Sequence, residues 1–183
     1  MSSIQEKVGV DVNALSRSDR DRHLRTNEAA LAQLHNQTKS SCWASLEAFG
    51  HTLKHVREQT APLCLVAVSR DGDALQYVDV QEWEVVHTAI EKSPLALRFV
   101  RDKTAGISLL AVRRDGWALQ YVNRDAVSAD DYAAIVLAAV ENAGTALQFA
   151  KYQDQEIVDA AILNNKLARR YARPEFLKGK NLS

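Results

Sequence analysis

Between Ser41 and Ala172 the apolar residues fall into columns that recur along the chain. Aligning Thr52, Ala74, Ala96, Ala118, Ala146 and Ala168 gives steps of 22 residues, apart from one of 28 that absorbs six extra residues around Arg124–Asp130. Seven residues before each aligned position stands a small residue (Ser45, Ala67, Ala89, Ala111, Ala139, Ala161), followed by Leu46, Val68, Ile90, Val112, Val140 or Ile162. Four residues before the small column come Ser41, Leu63, Val85, Ile107, Ile135 and Ile157, followed by Cys42, Cys64, Val86, Ser108, Val136 and Val158. Apolar positions at i, i+1, i+4 and i+5 share one face of a helix and cannot share one side of a strand.

The second half of each unit carries its own stripe. Leu53, Leu75, Leu97, Leu119 and Leu147 follow the aligned residue, and two residues later comes a ring: His55, Tyr77, Phe99, Tyr121, Phe149 and, in the last unit, Tyr171. The spacing predicts a second short helix, so each unit is expected to be a hairpin of two helices of about two turns. Helices that short are marginal alone, and neighbouring units must stack to bury their faces. The pattern therefore predicts an all-α, solenoid-like stack of about six short helical hairpin repeats of 22-residue period, slightly curved. A leucine-rich repeat has a similar period, but its L-x-x-L-x-L strand signature is missing.

The corners read consistently with this. "RDGDALQYV" (Arg70–Val78) and "RDGWALQYV" (Arg114–Val122) differ at one position. Asp71 and Asp115 are expected to cap the second helix through a side-chain oxygen. The next column holds Gly50, Gly72, Pro94, Gly116, Gly144 and Lys166, where glycine would permit a tight corner and proline suits a first helical turn. First helices are expected to start at Thr60 with Pro62, at Asp79 with Glu82, at Ser128 with Asp131 and at Asp154, the middle two as capping boxes. Upstream, "NEAALAQL" (Asn27–Leu34) fits the same stripe and predicts a degenerate N-terminal cap. Three regions follow: a polar, mobile segment over 1–22, a repeat domain over 23–173, and a basic tail over 174–183 that begins where Pro174 breaks the helix.

The phrase "DGxALQYV…VLAAV…GxALQFA" resembles a family of tandem helical repeats found in many bacterial proteins, including large effector-like proteins of host-associated species, and catalogued as a domain of unknown function. The resemblance covers about Ser41 to Ala172 and implies an α-helical scaffold of bacterial origin. It brings no catalytic residues to this chain. The last unit departs from the pattern, with Lys166 for glycine and Arg169 for leucine, as a solvent-facing end cap would.

Composition narrows the function. The chain has 183 residues, 23 basic against 23 acidic side chains, seven Gly and three Pro, which suits helix and offers no strong electrostatic attraction for nucleic acid. No apolar run of membrane-spanning length and no secretory signal is visible, so the chain is read as cytoplasmic in the cell that makes it. Export that reads a polar, unstructured N-terminus leaves no such mark, so translocation into a host cell stays open.

Cys42 and Cys64 share a column in adjacent units. Stacked helices lie about 8–10 Å apart, too far for a disulfide, so both are read as small buried hydrophobes. His51 and His55 are spaced to face one metal ion, but His55 lies in the ring column and is read as core; no metal or cofactor is assigned. Acid pairs such as Asp19 with Asp21 and Asp130 with Asp131 are read as caps and loops. No G-x-S-x-G, phosphate-binding loop or H-E-x-x-H occurs, so no catalytic residue is assigned, although a dispersed active site would leave no motif.

Two columns lie outside this core logic. One runs Lys54, Gln76, Arg98, Gln120, Gln148, Arg170; the other runs His51, Asp73, Leu95, Trp117, Thr145, Leu167. Leu95 and Trp117 are apolar where neighbouring units are mostly polar. With Arg98, Arg101, Arg113, Arg114 and Gln120 they form the candidate partner-binding patch, because Trp and Arg dominate binding hot spots. A second candidate is the basic stretch with Arg169, Arg170, Arg173, Lys178 and Lys180. The leading expectation is a non-catalytic protein–protein interaction module, an effector or regulator; the alternatives are a nucleic-acid-binding repeat protein and an enzyme with a dispersed site.

Overall fold

A computed structural model describes residues 10–177. It is all-α, and no strand occurs among the described residues. The α-helices are α1 (Arg17–Thr26), α2 (Ala30–Gln33), α3 (Lys39–Ala48), α4 (Ala61–Arg70), α5 (Trp83–Lys92), α6 (Ala105–Arg114), α7 (Ala129–Asn142) and α8 (Gln155–Asn164). From α3 onward each α-helix leads into a six-residue 3-10 helix: Gly50–His55, Gly72–Tyr77, Pro94–Phe99, Gly116–Tyr121, Gly144–Phe149 and Lys166–Tyr171. Successive α-helices pack on one another, as do successive 3-10 helices.

The second helix of each pair is therefore 3-10, not α. In "GWALQY" every third residue points out: Trp117 and Gln120 are exposed, while Gly116, Ala118 and Leu119 are buried. A turn of three residues places i and i+3 above one another, so a pattern of two inward positions and one outward position fits this winding better than a 3.6-residue turn. Between the two rows of helices lie Leu53, Leu75, Leu97 and Leu147, with Leu46, Val68, Ile90, Val112 and Val140 from the α-helices, all without exposure. Each such side chain contributes about 1.5–3 kcal/mol of burial.

Asp71 and Asp115 cap the 3-10 helices as expected, accepting from the N–H of Asp73 (3.0 Å) and Trp117 (2.9 Å). Ser128 and Asp154 cap α7 and α8 in the same way. Thr60 is the N-cap residue of α4, with Pro62 in its first turn, although its side chain makes no cap hydrogen bond. One expectation is corrected. The Asp79–Glu82 capping box does not form: α5 begins at Trp83 after Glu82, and the Asp79 N–H donates instead to Gln59 Oε1 at 3.0 Å.

That last bond belongs to a series of rungs. Gln37, Gln59, Gln81 and Gln153 each lie in a loop before an α-helix, and each side chain imitates a peptide group toward the next loop. Nε2 donates to the carbonyl of His55 (2.7 Å), Tyr77 (2.8 Å), Phe99 (2.9 Å) or Tyr171 (3.0 Å). Oε1 accepts from the N–H of Arg57, Asp79, Arg101 or Arg173. Lys103 occupies the equivalent place before α6, where the six-residue insertion displaces the next loop. At the following joint Tyr132 Oη accepts from the Lys151 N–H at 3.2 Å in place of a glutamine.

The glycine column has a different cause from the one expected. None of Gly50, Gly72, Gly116 or Gly144 has a left-handed backbone. A Cβ on Gly72 would lie 2.6 Å from the Ala89 carbonyl oxygen and 2.7 Å from Ser93 Cβ, and the other three meet the next α-helix equally closely. Glycine admits the neighbouring unit here; it does not shape the turn.

Of the segment 1–22, expected to be mobile, residues 1–9 lie outside the described residues; from Arg17 the chain is helical, and α1 packs against α3 with Leu24 fully buried. Arg20 holds the preceding chain by donating to the carbonyls of Val12, Asn13 and Leu15. With Leu24 the one apolar residue of α1, hydrophobic periodicity could not reveal it. Asn27–Leu34 does supply part of a cap, with Ala30 and Leu31 buried in register with the repeat. At the other end Pro174–Leu177 forms one 3-10 turn, tied by Gln155 Nε2 to the Phe176 carbonyl.

Candidate binding groove between α5 and α6

Pro94 and Lys166 are the exceptions in the glycine column. Gly72 and Gly116 meet the C-terminal end of the next α-helix too closely to admit a Cβ, and Pro94 brings a ring to the equivalent place before α6. Helices α5 and α6 approach each other over less of their length than α3–α4, α4–α5, α6–α7 or α7–α8.

Between the N-terminal ends of α5 and α6 lies a groove of about 430 Å³. Its floor is Val86, Val100 and Ile107, its apolar wall Val80 and Trp83, and its polar edge Asp79, Gln81, Arg101, Asp102 and Thr104. Trp83 is 64% and Val80 71% exposed, and the Trp83 ring lies 5.4 Å from that of His87.

The molecule supplies its own comparison. The same register between α3 and α4 holds a cavity of about 270 Å³ lined by His35, Asn36, Gln37, Thr38, Lys39, Cys42, Arg57, Glu58, Thr60 and Leu63. Moving from that joint to α5–α6 replaces Asn36 by Val80, Lys39 by Trp83 and Cys42 by Val86. The α5–α6 groove is thus the wider and more apolar version of a feature that the stack builds elsewhere. A depression of about 430 Å³ on the outer face of α7 is lined by Arg113, Ala134, Leu137, Ala138, Glu141 and Asn142. The Asn142 amide there is occupied, donating to the Arg113 carbonyl and accepting from the Gly116 N–H.

The patch expected from sequence is spread over three places, and most of its members are engaged. Leu95 is half-buried against the core. Arg98 pairs with Asp73 and lies 4.5 Å above the Phe99 ring. Arg101, at the loop edge, donates to the carbonyls of Asp79 (2.7 Å) and Val78 (2.9 Å). Arg113 and Arg114 stand at the opposite edge, and Arg114 pairs with Glu91 at 2.5 Å. Trp117, 42% exposed, sets its ring edge-on to Phe149 of the next unit at 5.5 Å, and Gln120 donates to the Trp117 carbonyl. Of these residues, Arg101 alone lines the α5–α6 groove.

In the basic stretch, Arg170 lies 5.9 Å from the Tyr171 ring and Arg173 donates to the Lys151 carbonyl. Arg169 is likewise engaged, and Lys178 and Lys180 lie outside the described residues.

Cys42 and Cys64 are free and buried, and burial pushes both thiols above their ordinary pKa. His51 hydrogen-bonds Glu28 at 2.9 Å, and burial lowers the His55 pKa, with the charges of Lys54 and His51 adding to the effect.

Sequence reasoning missed the groove although two signals were present. Pro94 stands among glycines, and Trp83 stands where other units carry Lys39, Ala61, Ala105, Ala133 and Gln155.

Fold and groove define an all-α stack of helix pairs with an apolar cleft between α5 and α6. Comparisons with protein-family models, with curated proteins and with solved structures each return no match to this chain.

Proposed function

We propose that this protein is a non-catalytic protein-binding module that holds a segment of a partner protein in the α5–α6 groove. The observation that carries the reading is the exposure of Trp83 and Val80 beside a cleft floored by Val86, Val100 and Ile107. An indole left in water next to an apolar cleft is the arrangement found at binding hot spots. A bacterial origin, an effector or regulatory role, and synthesis in the cytoplasm belong to the same proposal and draw on the repeated phrase and the polar N-terminus. Among the described residues no helix is long and apolar enough to cross a membrane. Nucleic acid is the weaker reading, because Arg98, Arg101 and Arg114 are engaged within the fold instead of facing a phosphate backbone.

The test is affinity capture from nuclease-treated bacterial and eukaryotic lysates, comparing the wild type with Trp83→Ala by quantitative mass spectrometry. Trp83 is largely exposed, so circular dichroism should show an unchanged fold. A protein held by the wild type and lost from the variant supports the reading. The same proteins held equally by both would remove the groove from it.

A further inference from the structure

The groove has a chemical bias that narrows its occupant. Asp79, Glu82, Glu84 and Asp102 stand exposed around Trp83 and along the groove edge, and none of them forms an ion pair among the described residues. Against these four carboxylates stand Arg101, whose guanidinium lies on the carbonyls of Val78 and Asp79, and Lys103. Glu47 and Glu91, by contrast, find arginine partners across the joints, in Arg25–Glu47 and Arg114–Glu91. Four carboxylates against two cations leave a net negative rim beside the cleft that Trp83 flanks.

We propose that the α5–α6 groove recognises a segment of a partner protein in which apolar side chains alternate with lysine or arginine. The inference rests on the protein-binding reading above. Apolar side chains of the segment enter against Val86, Val100 and Ile107 while Trp83 covers them. The flanking cations meet Asp79, Glu82, Glu84 and Asp102, and one of them can lie over the indole face, where a cation is attracted by the ring quadrupole. Charge complementarity at such a rim sets partner choice and association rate more than the depth of binding, so the discrimination should fade with salt.

The experiment uses three labelled, end-blocked peptides that share alternating Val and Leu and differ only in the positions between, which carry Lys, Glu or Ser. Their affinities are read by fluorescence anisotropy for the full chain, for Trp83→Ala and for the double variant Glu82→Lys, Asp102→Lys. The Lys peptide should bind about tenfold tighter than the Ser peptide, with the Glu peptide weakest. The double variant should reverse that order, and Trp83→Ala should weaken all three.

Equal affinity for the Lys and Ser peptides, with binding still dependent on Trp83, overturns the charge assignment and leaves the groove reading standing. Binding of none of them, or binding indifferent to Trp83, overturns both. A concentration-dependent dimer that excludes the Lys peptide would put a second copy of the chain in the groove and likewise overturn the assignment.

Discussion

Replacing two glycines by alanine should move stability in opposite directions. At Gly72 the added Cβ lies 2.6 Å from the Ala89 carbonyl oxygen, 2.7 Å from Ser93 Cβ and 3.0 Å from the Ser93 nitrogen. These are main-chain atoms and a Cβ, so no rotamer change clears them and the whole next unit must shift. Overpacking of this kind costs about 1–3 kcal/mol. The stiffer unfolded chain returns about 0.4–1 kcal/mol, for a net loss of roughly 1–2 kcal/mol. At Gly106, exposed on α6, the same Cβ meets nothing within 4 Å, and alanine should gain about 0.5–1 kcal/mol through helix propensity. Urea denaturation followed by circular dichroism reads both variants, and thermal midpoints should move by roughly 2–4 °C per kcal/mol in a chain of this size. A Gly72→Ala protein as stable as the wild type would refute the claim that the glycine column exists to admit the neighbouring unit. Loss of stability in Gly106→Ala would refute the open setting of that residue.

Three further outcomes follow from the joints and the buried polar groups. Ser108 Oγ is buried without a hydrogen-bond partner, so Ser108→Ala should leave stability unchanged or raise it by about 1 kcal/mol in the same urea assay. Gln59→Ala removes a rung that serves the Tyr77 carbonyl and the Asp79 N–H, and should cost about 1–2 kcal/mol. The raised thiol pKa values of Cys42 and Cys64 predict slow reaction with a disulfide reagent at neutral pH in the folded protein and rapid reaction in urea. Because folding raises these values, the associated stability is fully present below the unfolded thiol pKa of about 8.5 and is lost as pH climbs toward the folded values.

The sequence columns carried the fold class, the α-helical half of each unit, the caps at Asp71, Asp115, Ser128 and Asp154, and the insertion before α7. They carried them because each depends on contacts repeated at a fixed interval. The winding of the second helix was misread because a run such as Leu, polar, ring, Val satisfies an α stripe over so few residues. The outward pair Trp117 and Gln120, three apart, held the correct answer. The glycine column was legible as a column but not in its cause, since a clash with the next unit's Ala89 or Ala139 exists only once the units are stacked. The contacts of the candidate patch were not legible for a related reason: Arg98, Arg101 and Arg114 look free in the sequence and find partners some 22 to 25 residues away, on the adjacent unit.

On the proposed reading, binding depends on the opening between α5 and α6, and Pro94 stands at the corner where the preceding and following units carry Gly72 and Gly116. The most direct test is a titration of the Lys peptide into wild type and into Pro94→Gly, at a temperature where both are folded. Glycine at this position should let α6 close toward the spacing seen at the other joints, shrink the cleft toward that between α3 and α4, and weaken binding about tenfold or more while Trp83 and the acidic rim stay in place. Equal affinity in the two proteins would contradict it, because binding would then owe nothing to the opening between α5 and α6.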